Sequence, residues 1–234
     1  MLLGKEQTKV KKLFNSLNKH DEFEVMFNDF RGDNKLSLNK FVNVLKFLKW
    51  RSDKDNIKLT NEDSLDIIYM EDNVKDNIIT NYRVSINEND NINNFLKLVH
   101  LRKNHIIYSI LMTQFLSDTN FKFIKKTKDP VKIINLDDYD IRFRVSSELD
   151  FDNKTISYLA NLPLSQSERI VYRYKNRVSL KLIDTPNEQL SVDLTIVKTS
   201  ANPNEISGGD KSFELEIDYS SSNKLNEKIL TKIL

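Results

Sequence analysis

Cysteine is absent from the 234 residues, which excludes disulfides, thiolate zinc sites, iron–sulfur clusters and a cysteine nucleophile. Only three histidines occur, His20, His100 and His105, and the five-residue spacing of the last two does not put them on one helix face. Any metal must therefore be held by oxygen. Four glycines and four prolines are far fewer than a loop-rich or collagen-like chain carries, so most of the chain is expected in regular elements. No apolar run approaches the roughly 20 residues that span a bilayer, and Met1-Leu2-Leu3-Gly4-Lys5-Glu6 has no apolar signal core. These absences predict an intracellular, cytoplasmic protein that is not secreted and has no membrane partner; the sequon Asn153-Lys154-Thr155 then carries no weight. Excess charge is lacking too. With 36 Lys+Arg against 34 Asp+Glu the net is +2, so a charged site must arise by local sorting.

The periodicity that is present changes along the chain. Val10, Leu13, Phe14 and Leu17 predict an amphipathic helix over 5–19, and at Glu22 the period switches to two, with Phe23, Val25 and Phe27 on one strand face and Glu22, Glu24 and Met26 on the other. A turn is expected at Arg31-Gly32-Asp33-Asn34, which lacks the spaced ligands of a calcium loop. A helix capped by Ser37 then carries Leu38, Phe41, Val42, Leu45 and Leu48. Strands follow over 65–70 and 80–86, then helical spacing over 91–117 in two helices parted near Lys103-Asn104. The second half alternates in 121–126, 131–135, 140–148, 168–175, 178–183, 190–198 and 212–219, and a closing helix is expected over 225–234. Gly208-Gly209-Asp210-Lys211-Ser212 lacks a glycine directly before its lysine and precedes a strand, so it reads as a hairpin turn and not a phosphate loop. With no helix-length crossovers in the second half, the expectation is one α+β domain over 1–234 with an antiparallel sheet.

The polar strand faces are sorted by sign. Glu22 and Glu24 form one acidic rib, and Glu214, Glu216 and Asp218 form another. Basic ribs lie between them: Arg83, Lys122 with Lys126, Arg142 with Arg144, and Arg173 with Lys175 and Arg177. Like charges two residues apart on a face repel, and solvated surfaces usually mix the signs. Turned to the inside of a closed barrel, adjacent acidic strands need a cation, for which carboxylate oxygens suit Mg²⁺ or Mn²⁺. Arginine forks and lysines facing that cation suit a polyphosphate. A solvated-face arrangement remains the alternative on pattern alone.

Three motifs now converge. Glu22-Phe23-Glu24-Val25-Met26-Phe27 and Phe213-Glu214-Leu215-Glu216-Ile217 resemble the paired Glu-x-Glu strands of the triphosphate tunnel metalloenzymes. Arg173-Tyr174-Lys175-Asn176-Arg177-Val178-Ser179, Val192-Asp193-Leu194-Thr195-Ile196-Val197 and the strand from Asp140 to Glu148 narrow the likeness to the metal-dependent RNA 5′-triphosphatases of mRNA capping, notably the N-terminal domains of giant-virus capping enzymes. The wider superfamily often places Lys or Arg two residues after the second glutamate, so Met26 departs from the generic tunnel-enzyme pattern, while the Arg-x-Lys-x-Arg and Asp-Leu-Thr strands support the capping branch.

That resemblance implies a closed antiparallel barrel of about eight strands, with a hydrophilic tunnel inside and helices packed outside. It implies removal of the γ-phosphate from 5′-triphosphate RNA, with free NTP as a further substrate and Mg or Mn as cofactor. Glu22, Glu24, Glu214 and Glu216 would hold the metal; Arg142, Arg144, Arg173, Lys175 and Arg177 would clamp phosphates, with Arg83 and Lys122 behind them. Glu148 would orient or deprotonate the water, so that Glu148, Lys175 and Arg177 form the catalytic set, while Asp193 and Thr195 orient their neighbours. Asp218 is left between water-mediated metal binding and a place at the tunnel mouth. Covalently linked guanylyltransferase and methyltransferase domains are implied partners, and a virion or viral factory an implied location. Two alternatives stay open: a tunnel enzyme acting on tripolyphosphate, nucleotide or thiamine triphosphate, and a non-catalytic module that binds polyphosphate or RNA ends.

Overall fold

The computed structural model describes residues 4–19, 21–27, 36–73, 78–99, 121–161, 170–222 and 227–233. The expected turn at 31–34, the second helix expected after Asn104 and all three histidines lie outside the described residues.

Eight strands close into one antiparallel barrel: β1 (Asp21–Phe27), β2 (Leu59–Asn73), β3 (Ile78–Asn87), β4 (Phe121–Leu136), β5 (Ile141–Asp150), β6 (Ile170–Asp184), β7 (Glu188–Ser200) and β8 (Asp210–Ser221). Their order around the barrel is β1-β5-β4-β3-β2-β6-β7-β8, so the first and last strands are neighbours. Closure leaves no unpaired sheet edge. It also explains how one period-two pattern serves two environments, since odd and even residues of each strand face opposite sides of the wall.

The apolar faces point outward and are covered by helices. Helix α1 (Gly4–Phe14) buries Val10, Leu13 and Phe14 against Phe23, Val145 and Tyr219, with the Phe14 and Phe23 rings meeting edge to face at 5.2 Å. Helix α2 (Leu38–Asp55) starts at Ser37, whose hydroxyl accepts from the Lys40 N–H, and buries Phe41 and Leu48 over Leu180 and Leu194. Helices α3 (Asn89–Val99) and α4 (Asn153–Ala160) cover a third cluster around Tyr69, Tyr82 and Tyr172, and α5 (Glu227–Ile233) adds Ile229 and Leu230 to the α1 cluster. The hydrophobic core is thus a shell between barrel and helices. Among the described residues no helix is long and apolar enough to cross a membrane.

The sequence expectations depart from this fold in four places. The strands expected at 121–126 and 131–135 are one strand, β4, whose register shifts between Lys128 and Ile133 around Pro130; a bulge lets the chain pass a residue that cannot donate to the ladder. Likewise 168–175 and 178–183 merge into β6, because Asn176 and Arg177 continue the ladder with Asp63 and Glu62. The short helix α4, capped by the Asp152 carboxylate accepting from the Thr155 N–H, was not anticipated, and a 3-10 helix at Pro203–Gly208 occupies the link between β7 and β8 where a tight hairpin turn was expected.

Candidate active site

The even-numbered residues of β1 and β8 face inward, and antiparallel pairing sets their level. Glu24 stands opposite Asp218 on one side and Arg144 of β5 on the other, while Glu216 is level with Met26 and Asp193. The result is a cavity of about 510 Å³ inside the barrel, lined almost entirely by charged and polar side chains. One wall, β1 with β8, is acidic: Glu22, Glu24, Glu214, Glu216 and Asp218. The wall across from it is basic, with Arg83 of β3, Lys122, Lys126 and Lys128 of β4, Arg144 of β5, and Arg173, Lys175, Arg177 and Lys181 of β6.

Carboxylates on the acidic wall meet more of their own sign than of the opposite one. Burial and the neighbouring Glu214 and Glu24 push Glu216 up to about 7, and burial with Glu22, Glu216 and Glu24 pushes Asp218 well above the ordinary carboxyl range. Glu22 is also raised, by burial and by Glu24 and Glu148, against the pull of Lys126. Glu24 is the exception. Burial opposes its ionisation, but Lys126 and the Arg144 guanidinium, which donates to its Oε2, hold it below the usual range.

Lys126 is the hinge of this electrostatic arrangement. Its ammonium lies 2.9 Å from Glu22 Oε2, 2.8 Å from Glu24 Oε1 and 2.9 Å from Glu148 Oε1. Arg83 approaches the same Glu148 oxygen at 3.2 Å. Together these cations outweigh burial and hold Glu148 ionised below the ordinary range.

The three cations of β6 that repeat every second residue are each met by an acid. Lys175 is paired with Asp66 of β2, which also accepts from the Ser85 hydroxyl at 2.6 Å. Burial would raise the Asp66 carboxyl, but Lys175 and Arg83 outweigh it and hold the group low. Lys175 itself is pushed down by burial and by Arg83, Arg177 and Arg173, which together exceed the attraction of Asp66. Arg177 reaches Asp193 at 3.1 Å and donates from Nε to the Thr195 hydroxyl at 3.3 Å; Arg173 reaches Glu214 at 2.7 Å. Lys128 is pushed down to about 8 by burial and by Arg144 and Lys126.

The donor set fits a hard divalent cation. Glu22, Glu24 and Asp218 each place a carboxylate oxygen within 4.8 Å of the others. Opposite ligands around an octahedral ion with bonds near 2.1 Å are roughly 4.2 Å apart, so modest side-chain rotation suffices. Among the described residues Asp218 Oδ1 is buried without a hydrogen-bond partner, an orphan acceptor on the acidic wall, and Arg83 Nε is an orphan donor on the basic one. Such groups are costly unless a ligand satisfies them.

Nearly every residue singled out from the sequence lines the tunnel. Thr195 is buried behind Arg177, and Arg142 is outside the lining set, its Nε donating to Asn135 Oδ1 at 2.9 Å. Geometry redistributes the acids: Asp218, and not Glu214 or Glu216, joins Glu22 and Glu24, while Glu214 is engaged by Arg173. Asp66, Lys128 and the three-carboxylate contact of Lys126 escaped the sequence reading. The inward phase of Lys126 and Lys128 with Lys122 was a usable signal, whereas Asp66 lies in an otherwise apolar run.

No family model matches the sequence. The probable mRNA-capping enzyme of Acanthamoeba polyphaga mimivirus is 25% identical over 233 residues, which cover 94% of this chain and 19% of that protein. The chain thus spans about a fifth of the length of the curated relative it matches. Among solved structures, the RNA triphosphatase domain of the trifunctional mimivirus mRNA capping enzyme superposes with a TM-score of 0.71 at 21% identity, over 98% of this chain and 95% of that one. A triclinic form of the mimivirus triphosphatase gives 0.71 over 99% and 94%. The chain is a homologue of the mimivirus mRNA-capping enzyme, and its closed eight-stranded barrel is the tunnel fold of that enzyme's RNA triphosphatase domain.

Proposed function

We propose that this chain is an RNA 5′-triphosphatase, a hydrolase that converts a 5′-triphosphate RNA end to a diphosphate end in mRNA capping, as the domain of a larger capping enzyme. The observation that carries this reading is the confrontation, inside one barrel cavity, of an acidic wall short of counter-charge with a basic wall built from β3, β4, β5 and β6.

Glu22, Glu24 and Asp218 are the proposed direct ligands of a divalent cation, with Glu216 and Glu214 extending the acidic face. When bound, Mg²⁺ or Mn²⁺ supplies neutralisation of charge on the terminal phosphate. Arg173, Lys175 and Arg177 from one strand, with Arg83 and Arg144, bind the phosphate oxygens and hold the chain of phosphates straight. Lys122 extends this face toward one mouth. Asp66, Asp193 and Thr195 fix the direction of Lys175 and Arg177. Glu148 is held ionised, so it suits orienting the attacking water as a hydrogen-bond acceptor better than storing its proton. Water's oxygen bonds to the γ-phosphorus, the β–γ bridging P–O bond breaks, and orthophosphate and the diphosphate RNA end separate.

The test is release of orthophosphate from a 5′-triphosphate RNA with and without Mg²⁺ or Mn²⁺. Metal-dependent release is expected, reduced at least about 100-fold by Glu24→Ala or Asp218→Ala with the far-UV circular dichroism unchanged. Folded wild type that releases nothing with either metal overturns the reading. Release from tripolyphosphate but not from RNA would assign the tunnel to a different substrate.

A further inference from the structure

Helix α2 turns its inner face to the barrel through Phe41 and Leu48, yet its outer face is not simply polar. Trp50 is 51% exposed and Phe47 54% exposed, and the two rings lie side by side with centroids 5.8 Å apart. Trp50 stands opposite the buried stripe, with Lys46 and Lys54 one turn away on either side. The Lys54 ammonium is 4.7 Å from the Trp50 ring centre. The helix holds Lys40, Lys46, Lys49, Arg51 and Lys54 against Asp53 and Asp55, a net +3, whereas the whole chain is +2. The positive charge of this helix thus lies beside two exposed aromatic rings.

Exposed aromatic rings beside lysines match one kind of anion well. Single-stranded RNA offers flat bases to stack on and a phosphate at each step. The position of the helix makes such a strand continuous with the tunnel. Asn56, in a left-handed conformation at φ 53°, ends α2 and sends the chain directly into β2. There the Lys181 N–H donates to the Lys58 carbonyl at 3.0 Å, and Lys181 lines the tunnel. Trp50 lies five helical residues before the end of α2 at Asp55, about 7.5 Å at 1.5 Å per residue, and Asn56, Ile57 and Lys58 complete the link to the tunnel rim. That is within reach of the first few nucleotides of a transcript whose 5′ phosphates are inside.

We propose that the RNA leaves the tunnel by the mouth at Lys181 and runs along α2, its first unpaired bases stacking on Trp50 and Phe47 and its phosphates meeting Lys46 and Lys54. This rests on the reading of the tunnel as a 5′-triphosphate site. It adds an RNA-specific subsite on the outside of the barrel, which discriminates a transcript from free nucleotide or tripolyphosphate.

Trp50 is the one tryptophan of the chain, so its fluorescence reports this surface alone. The wild type, with metal present, is titrated with a ten-nucleotide unpaired 5′-triphosphate RNA, with inorganic tripolyphosphate and with a ten-residue polyglutamate. The diphosphate product keeps the same nucleotides, so turnover does not erase the signal. Quenching by about half with RNA, and none with tripolyphosphate, is expected. In parallel, the double variant Phe47→Ala, Trp50→Ala should raise KM for the RNA about tenfold and leave KM for ATP unchanged. Unchanged fluorescence at RNA concentrations that saturate phosphate release, with equal KM in variant and wild type, overturns the subsite. Equal quenching by polyglutamate overturns it in favour of an acidic protein partner. Quenching by RNA without any phosphate release supports the RNA surface and refutes the hydrolase reading, so the two failures are distinguishable.

Discussion

The two walls of the tunnel solve the same problem, burial of charge, in opposite ways. On the basic wall Lys175 has Asp66, Arg177 has Asp193, and Arg83 shares Glu148 with Lys126. On the acidic wall Lys126 serves both Glu22 and Glu24 and Arg144 serves Glu24, while Glu216 and Asp218 are forced toward their protonated forms. The cations of β6 are therefore oriented by the folded chain itself, whereas the acidic wall carries carboxylates short of counter-charge that could bind a cation. This asymmetry is what a site needs when one component, the phosphate chain, must enter and leave each cycle while the other, a cation, neutralises the wall that the fold cannot.

The contrast is broken most directly at Lys126, where the walls meet. Lys126→Met leaves Glu22, Glu24 and Glu148 without their shared ammonium. Removing one member of a buried ion cluster costs about 3 kcal/mol, a drop of roughly 6–12 °C in Tm for a chain of this size. Differential scanning calorimetry without metal should show that loss, and saturating Mn²⁺ should recover most of it. A variant melting at the wild-type temperature without metal would show that the acidic wall tolerates its own repulsion.

The same asymmetry has a pH signature. Glu216 is pushed up to about 7 and Asp218 well above its ordinary range in the folded state, so above about pH 4.5 the folded protein holds protons that the unfolded chain has lost. Stability of the metal-free protein should accordingly fall as pH rises from about 5 to 8. Asp66 and Glu24, held low by their cations, give the opposite slope only below about pH 4 and do not cancel it in this window. Metal should raise Tm more at pH 8 than at pH 5. Thermal melts across that range that are flat, or that rise with pH, would contradict the account.

A gentler perturbation separates the walls. Asp66→Asn removes the acid behind Lys175 and Arg83 without touching the carboxylates across the tunnel. Loss of an orienting partner should lower kcat/KM about tenfold while Mn²⁺ affinity stays at the wild-type value. A parallel loss of metal affinity would show that the two walls are not independent.

Much of this was legible from residue order. Glu22-x-Glu24 and Glu214-x-Glu216-x-Asp218 announce acidic strand faces, and Arg173-x-Lys175-x-Arg177 a basic one, because a strand repeats every two residues. What alternation cannot supply is register. Nothing in the sequence says that Asp218 is level with Glu24 and Glu216 with Met26, yet this alignment decides which carboxylates cluster. The role of Lys126 depends on β4 lying one strand away from β1 across β5, a topological fact with no local signal. The alternation splits 121–126 from 131–135, and only the bulge in β4 shows how one strand passes Pro130, which cannot donate to a ladder. Asp66 sits in Leu65-Asp66-Ile67-Ile68-Tyr69, where its apolar neighbours hid the one inward acid that fixes Lys175.

The central claim is that the acidic wall is completed by a divalent cation. Mn²⁺ binding, followed by electron paramagnetic resonance of the free ion at pH 7.5 in wild type, Glu24→Ala and Asp218→Ala, tests it most directly. The account predicts at least one saturable site in the wild type, weakened at least about tenfold in each variant. Equal binding by all three proteins would contradict it.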